Sequence, residues 1–500
     1  MTQSLPEPSR ATRRIFLASG PAAAVWGTAL AQGADPETPT KSNTSRTILD
    51  VRQYGARGDG TTDDTQTLQA AIDQAAQDGV GTVFLPAGTY RLSDALRLPS
   101  HTRLLGAGAG LTRLQAIPDT LFPLVRPDPR TAEIRQRRTM ITTRSAGTAR
   151  QSVVENIGMA HLTVDWNHCP TESFGSACVL IDSADRCRLE HVHFERCMPS
   201  DHPRRLEDMR GSAFRCECIL FSNSNHALMD ACELGDSGYR PLSVAYGSRD
   251  ITFQNGRIIA DQPVWRHAFA EVHGDGIPRD ERFVRSQLKM RDSTFVLQGG
   301  TAQDGICSHT GTMSIEHCDF YIRGGTEHFG FVIKPFDGSR RCQCLNNRFH
   351  CEGDYHQHFS IIGSIGSRTN EELLFVGNII DILYSADVGD RRAERGLVDF
   401  SRSEVRCRVQ DNQFLIRCEK PFPISAIRLE NARVFTVAGN LIEFRGAADG
   451  EGPIGIQVQA SSAGTIIGNV VAGDCRSALS PSDDMPGVLL HGNVDSTNDA

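Results

Sequence analysis

The chain has 500 residues, 39% hydrophobic and 22% charged, with 46 glycines, 15 cysteines and a formal net charge of -8. This is a globular balance, and the acidic excess removes any general attraction to nucleic acid or anionic membranes. Length gives no domain count, because repeat architectures exceed the usual domain size, so repeats have to be sought first.

Residues 1–31 read as an export signal. Thr12, Arg13, Arg14, Ile15, Phe16, Leu17 and Ala18 resemble the twin-arginine consensus and precede an Ala-rich apolar stretch. Ala29, Leu30 and Ala31 match a small-x-small cleavage site. A chance arginine pair before a buried helix is the competing reading. The expected mature protein is periplasmic or secreted, and no other stretch approaches the roughly 20 apolar residues of a membrane span. By what is known of that route, it moves folded proteins. Residues 32–47 read as a polar linker. The cysteines are odd in number and lack the tight spacing of a disulfide scaffold, so they are expected as core thiols. Cys216 with Cys218, and Cys342 with Cys344, lie two apart, on one face of a strand; structural zinc sites space their ligands differently.

Residues 48–125 open with Asp50, Tyr54, Gly55, Ala56, Gly58, Asp59, Gly60, Asp63, Asp64 and Thr65. An amphipathic helix over 66–77 follows, with Leu68, Ala71, Ile72 and Ala75 on one stripe, and then the segments VFLPAGTY and LLGAGAG. Such a helix can close the end of a stacked repeat, as terminal units must. Asp63 and Asp64 read as its N-terminal cap and charge, in preference to a catalytic carboxylate pair. Residues 126–150, with Arg135, Arg137 and Arg138, read as a solvated basic surface loop, or alternatively as a rim contact for an acidic substrate.

Over residues 151–480 one template recurs, running from Leu189/Val192/Phe194 to Ile466/Asn469/Val471 at intervals of roughly 24 to 40 residues. Strand-like alternation within each copy excludes a helical repeat. The middle position holds Asn347, Asn378, Asn412, Asn440 and Asn469 in the later copies. Side-chain amides stacked at a bend can bond one another from coil to coil, satisfying polar groups that would otherwise be buried unpaired. Residues 481–500 read as a tail.

The motifs of the 48–125 module and this repeat resemble the pectate-lyase-like superfamily, with its polygalacturonase-like and tailspike β-helices. The resemblance implies an all-β, right-handed parallel β-helix, a solenoid whose N-terminal capping module contains a short α-helix. Coils would stack at about 4.8 Å. It also implies action on a polysaccharide partner.

A second strand in each coil aligns with inward positions Leu242/Val244, Ala270/Val272, Ile306/Ser308, Phe331/Ile333 and Phe359/Ile361, and a period of two sets the outward positions. One outward column then reads Ala245, His273, His309, Lys334, Ile362, and a second Ser243, Glu271, Cys307, Val332, Ser360. A third reads Pro241, Phe269, Gly305, Gly330, His358, and a fourth Tyr239, His267, Gln303, His328, His356. His273, His309 and Lys334 are thereby expected as the catalytic face, with Gly305 and Gly330 leaving a trough for a sugar ring. Crowded cations lower one another's pKa, which makes a base near neutral pH. Substrate contacts are expected from His267, Glu271, Asp275, Arg279, Asp304, His328, Tyr355, His356 and His358. Solvation is the competing reading for any one of these side chains.

Arg or Lys neutralising a uronate carboxylate, with a base taking the α proton, is lyase chemistry. A hydrolase needs two carboxylates about 5 to 9.5 Å apart, which Glu271 with Asp275 or Asp304 would supply. A non-catalytic glycan-binding β-helix is the third reading. The Asn-Thr-Asp, Asp-Asp, Gly-His-Gly and Arg-Ile-Lys set of polygalacturonases is missing from the repeat over 151–480, as is the Asp-Pro-His of mannuronan epimerases. Only HGDG at 273–276 echoes the third element. His267, His328 and His356 in a straight column fit a tetrahedral ion poorly, while calcium in the acidic loops stays open.

Overall fold

The structure is a computed structural model. It describes residues 48–496 except 80, 236, 310, 126–136, 145–152, 172–174, 201–214, 261–267, 274–285, 299–303, 324–330, 336–338, 354–358, 364–370, 385–395, 402–405, 420–423, 447–451, 460–462 and 481–486. The export signal and the linker lie outside the described residues.

Each coil contributes up to three strands, as in Glu372–Val376, Ile379–Tyr384 and Gly396–Ser401. The first two stack into a 29-stranded sheet and the third into a 14-stranded second sheet, giving the right-handed parallel β-helix that the resemblance implied. Leu124–Val125 on Arg137–Thr143 is the antiparallel pairing among the described strands. The module before residue 125 is itself the first coils, since Ile48–Asp50 pairs with Thr82–Leu85, which pairs with Arg103–Gly106.

The asparagine ladder forms as expected at the bend between the two columns of the long sheet. The backbone N–H and Nδ2 of Asn347 both donate to Asn378 Oδ1, at 2.9 and 3.0 Å, and the same pair of bonds repeats from Asn378 to Asn412, Asn412 to Asn440 and Asn440 to Asn469. Each Nδ2 also donates to a carbonyl of the preceding coil, as Asn412 does to Phe375. Earlier coils use Cys318 and Ser293, whose side chains return a bond to the carbonyl two residues before. Below the bend the core is apolar, and Phe295, Phe320, Phe349 and Phe375 stack through it with centroids 4.6, 4.7 and 6.1 Å apart.

Three expectations need correction. The ladder runs on to Asn493, which accepts from Asn469, and Val488–His491 and Val494–Ser496 pair in register, so part of the expected tail is a further coil. The expected basic loop contains the strand Arg137–Thr143, because Met140 and Ile141 belong to the core and carry Arg137 and Arg138 into the second sheet. The helix Thr65–Gln77 buries Leu68, Ala71, Ile72 and Ala75 as predicted, but Asp64 makes no side-chain cap bond. Its carboxylate accepts from the backbone of Arg57 and Gly58 at 2.7 and 3.0 Å, pinning a turn in which a Gly58 side chain would strike the Tyr90 ring. Asp63 takes the Thr65 N–H instead, at 3.0 Å. Both carboxylates are therefore structural.

All fifteen cysteines are free thiols, and all but Cys418 are buried, as expected of core residues.

Candidate active site

The outward face of the second sheet carries the chemistry, but its register differs from strict alternation. At the bend of each strand two consecutive residues turn inward: Val332 with Ile333, Ile361 with Ile362, Leu397 with Val398, and Ala426 with Ile427 are all in the core. The register runs Leu242, Ala270, Ile306, Ile333, Ile362. The expected alignment therefore slips by two residues between Ile306 and Phe331, and by one more at the next coil. Lys334 pairs with Cys307, not with His309, and stands in the column Ser243, Glu271, Cys307, Lys334. His273 pairs with His309 as expected.

The trough is also corrected. Phe269 is in the core, and a side chain on Gly305 would lie 2.0 Å from the Val332 carbonyl oxygen, so this glycine serves close stacking of coils. His267, Asp275, Arg279, His328, Gly330, Tyr355, His356 and His358 lie outside the described residues, and His273 and Asp304 are placed by backbone alone. Among the described residues no group of three or more His, Cys, Asp or Glu side chains is arranged to hold a metal.

The expected residues that do meet are Glu271 and His309. Glu271 is fully buried, and its Oε1 lies 3.2 Å from His309 Nε2. The His309 side chain is about a third exposed, at 32%. On the other side Arg240 Nε forms an ion pair with Glu271 Oε2. Arg240 Nη2 donates to Tyr239 Oη at 2.6 Å, with the guanidinium 4.2 Å from that ring's centroid. Lys334 is 5% exposed, its ammonium 5.4 Å from the Phe331 centroid. Burial alone would lower the Arg240 pKa; Glu271 first, then Tyr239 and Glu217, outweigh it and hold the guanidinium above its ordinary value. Burial pushes the Tyr239 phenol up, against the pull of Arg240.

Sequence reasoning missed Glu217 and Arg240, and set Arg137 in a surface loop apart from them. A signal was present: Glu217 interrupts the apolar run CECILF, and Arg240 opens RPLSVA, each a charge where the repeat wants an apolar or small residue. Chemically, a buried carboxylate 3.2 Å from Nε2 favours the tautomer that carries its proton there, with the lone pair on Nδ1, and stabilises the imidazolium once a proton arrives.

The profile of the family described as rhamnogalacturonase A/epimerase, pectate lyase-like, matches residues 48–273. The tailspike protein of E. coli bacteriophage HK620 superposes with a TM-score of 0.55 at 13% identity, covering 89% of this chain and 78% of its own. The fold is a right-handed parallel β-helix, and residues 48–273 carry the pectate-lyase-like match. At that identity the structural likeness of this β-helix speaks to fold alone. Over 74 residues it is 46% identical to alginate lyase 7 of Azotobacter vinelandii, which is 13% of this chain and 9% of that protein. Over 59 residues it is 52% identical to plasmin and fibronectin-binding protein A of Streptococcus pneumoniae, 12% of this chain and 8% of that one. The matches thus span under a tenth of these relatives.

Proposed function

We propose that this β-helix is an extracytoplasmic polysaccharide lyase acting on a uronate-containing polymer. The observation that carries the reading is the carboxylate–imidazole pair of Glu271 and His309 on the outward face of a long, ribbed sheet, with Lys334 in the Glu271 column two coils on. The partial match to an alginate lyase supports a polyuronate as the substrate class. In this reading His309 takes the proton α to the uronate carboxylate. The electron pair left behind forms the new carbon–carbon double bond, and the glycosidic oxygen departs and is protonated. Glu271 orients the imidazole, and Lys334 contributes positive potential as the carboxylate gathers charge. Glu217 and Glu271 are each committed to basic partners, which favours elimination over a two-carboxylate hydrolysis.

The test is incubation with a panel of acidic and neutral glycans. Ultraviolet absorbance from unsaturated ends, lost in H309A, is the expected result. Reducing ends without that absorbance would make the protein a hydrolase, and binding without product a glycan-binding scaffold. The site of action follows from the twin-arginine signal: replacing Arg13 and Arg14 by Lys is expected to retain the precursor in the cytoplasm, and normal export of that variant would overturn the signal reading.

A further inference from the structure

Charged side chains on the second sheet form one continuous row that begins well before the Glu271–His309 pair. Arg137 Nε lies 3.3 Å from Glu217 Oε2, reaching over the coil where Gly175 has no side chain. Glu217 Oε1 accepts from Ser243 Oγ at 2.9 Å and faces Arg240 Nη1 at 3.9 Å. Arg240 then pairs with Glu271, and Glu271 with His309. The strands run in the order Cys216–Ser222, Arg240–Ala245, Ala270–His273, so Arg240 stands one coil after Glu217 and one before Glu271.

We propose that Arg240 is a positioning residue for His309, acting through Glu271 to set the pH at which the imidazole holds its proton. It sits between two buried carboxylates on coils about 10 Å apart along the axis, at ~4.8 Å a coil. A guanidinium fork can address both at once, where an ammonium is a single point charge. Arg240 engages one Glu271 oxygen and His309 meets the other. The imidazole therefore faces a carboxylate whose charge is already partly compensated.

Without Arg240, Glu271 would lose the guanidinium that faces its Oε2, and the imidazole at Oε1 would answer for more of its buried charge. A protonated imidazole relieves the cost of an uncompensated buried charge, so His309 would hold its proton to higher pH. His273, placed by its backbone, pairs with His309 from the preceding coil; Glu217, Arg137, Arg215 and Tyr239 stand on earlier coils, Cys307 on His309's own strand and Lys334 on the next coil. All remain in an Arg240 variant. Removing Glu217's charge works in the opposite sense, because Arg240 would then serve Glu271 alone.

The role of Arg240 in turnover rests on His309 being the base, but the electrostatic coupling is measurable without activity. The probe is diethyl pyrocarbonate, which modifies neutral imidazole. Labelling of His309 in the full chain is followed by peptide mass spectrometry across pH, beside the pH profile of kcat on any polyuronate that is cleaved. The expected result is a labelling midpoint about one unit higher in R240M, a smaller rise in R240K, and a fall in E217Q. A wild-type midpoint in folded R240M overturns the proposal. If R240M does not fold, unchanged midpoints in both R240K and E217Q do the same. If no glycan is cleaved while the midpoint moves as stated, the lyase reading fails and the positioning role stands.

Discussion

His309 and Lys334 stand in different environments, and their substitution should separate chemistry from stability. His309→Ala is expected to lower turnover about 100-fold or more while leaving the melting transition nearly intact, since a third of the side chain is in water. The same expectation does not extend to Lys334. At 5% exposure its removal also costs packing, so Lys334→Met is the cleaner variant and Lys334→Ala should lower the melting temperature as well. Equal melting shifts for His309→Ala and Lys334→Ala would contradict this. Asp165 supplies a pH test away from the site. It is fully buried, ion-paired to Arg196 and, at 2.8 Å, to Arg113, and accepts from Gln115 at 3.0 Å. Burial alone would raise its pKa; Arg196, Gln115 and Arg113 outweigh that and hold it below the ordinary carboxylate value. A depressed folded-state pKa adds stability that is present above the unfolded value of about 3.9 and lost as pH falls through the folded one. Asp165→Asn should cost about 2 kcal/mol at neutral pH, discounted because both arginines are partly exposed, and should flatten the acid end of the stability profile. An unchanged profile in urea titrations below about pH 4 would remove Asp165 from that account.

At the scale of the coil, the asparagine ladder was legible in the sequence because a polar residue recurring inside an apolar triplet has few places to go except a stacked amide. The site was not, because strict alternation fails where a strand bends: Val332 and Ile333 both turn inward, and every outward position beyond them moves. A charge within an apolar run, as at Glu217, is the mark that alternation overlooks. Ladder position also makes a quantitative difference. Replacing Asn412 by Leu strips the acceptor from both the backbone N–H and the Nδ2 of Asn378, and leaves the Phe375 carbonyl without its donor, all of them buried. With each buried unpaired group costing about 1–3 kcal/mol, the loss should be on the order of 4 kcal/mol. Asn493→Ala strips the same kind of acceptor from Asn469, but on the exposed last rung described, where water can substitute, and should cost about 1 kcal/mol. Denaturant midpoints that fall equally in the two variants would show that rungs are interchangeable.

At the scale of the molecule, the fifteen cysteines constrain the order of events. Stacked coils need small apolar fillers at every level, and thirteen of the fifteen cysteines serve in the buried core, with Cys418 packed against it and Cys307 turned to the outward face. Burial pushes the thiols of Cys187, Cys232 and Cys318 up to about 12, and the thiolate is the form that reacts. A folded chain is therefore protected from oxidants, whereas an unfolded one crossing into an oxidising compartment would expose fifteen thiols to mispairing. That is the physical reason why a route that carries folded protein would suit this chain, and it gives a test independent of any substrate. Native protein should react with a thiol reagent at no more than one site within minutes, at the half-buried Cys418, and all fifteen should titrate after denaturation. Refolding with a disulfide oxidant present should recover far less native protein than refolding with a reductant. Fewer than fifteen thiols in the denatured chain would mean that bridges exist, and equal recovery under the two conditions would mean that folding before export confers no protection.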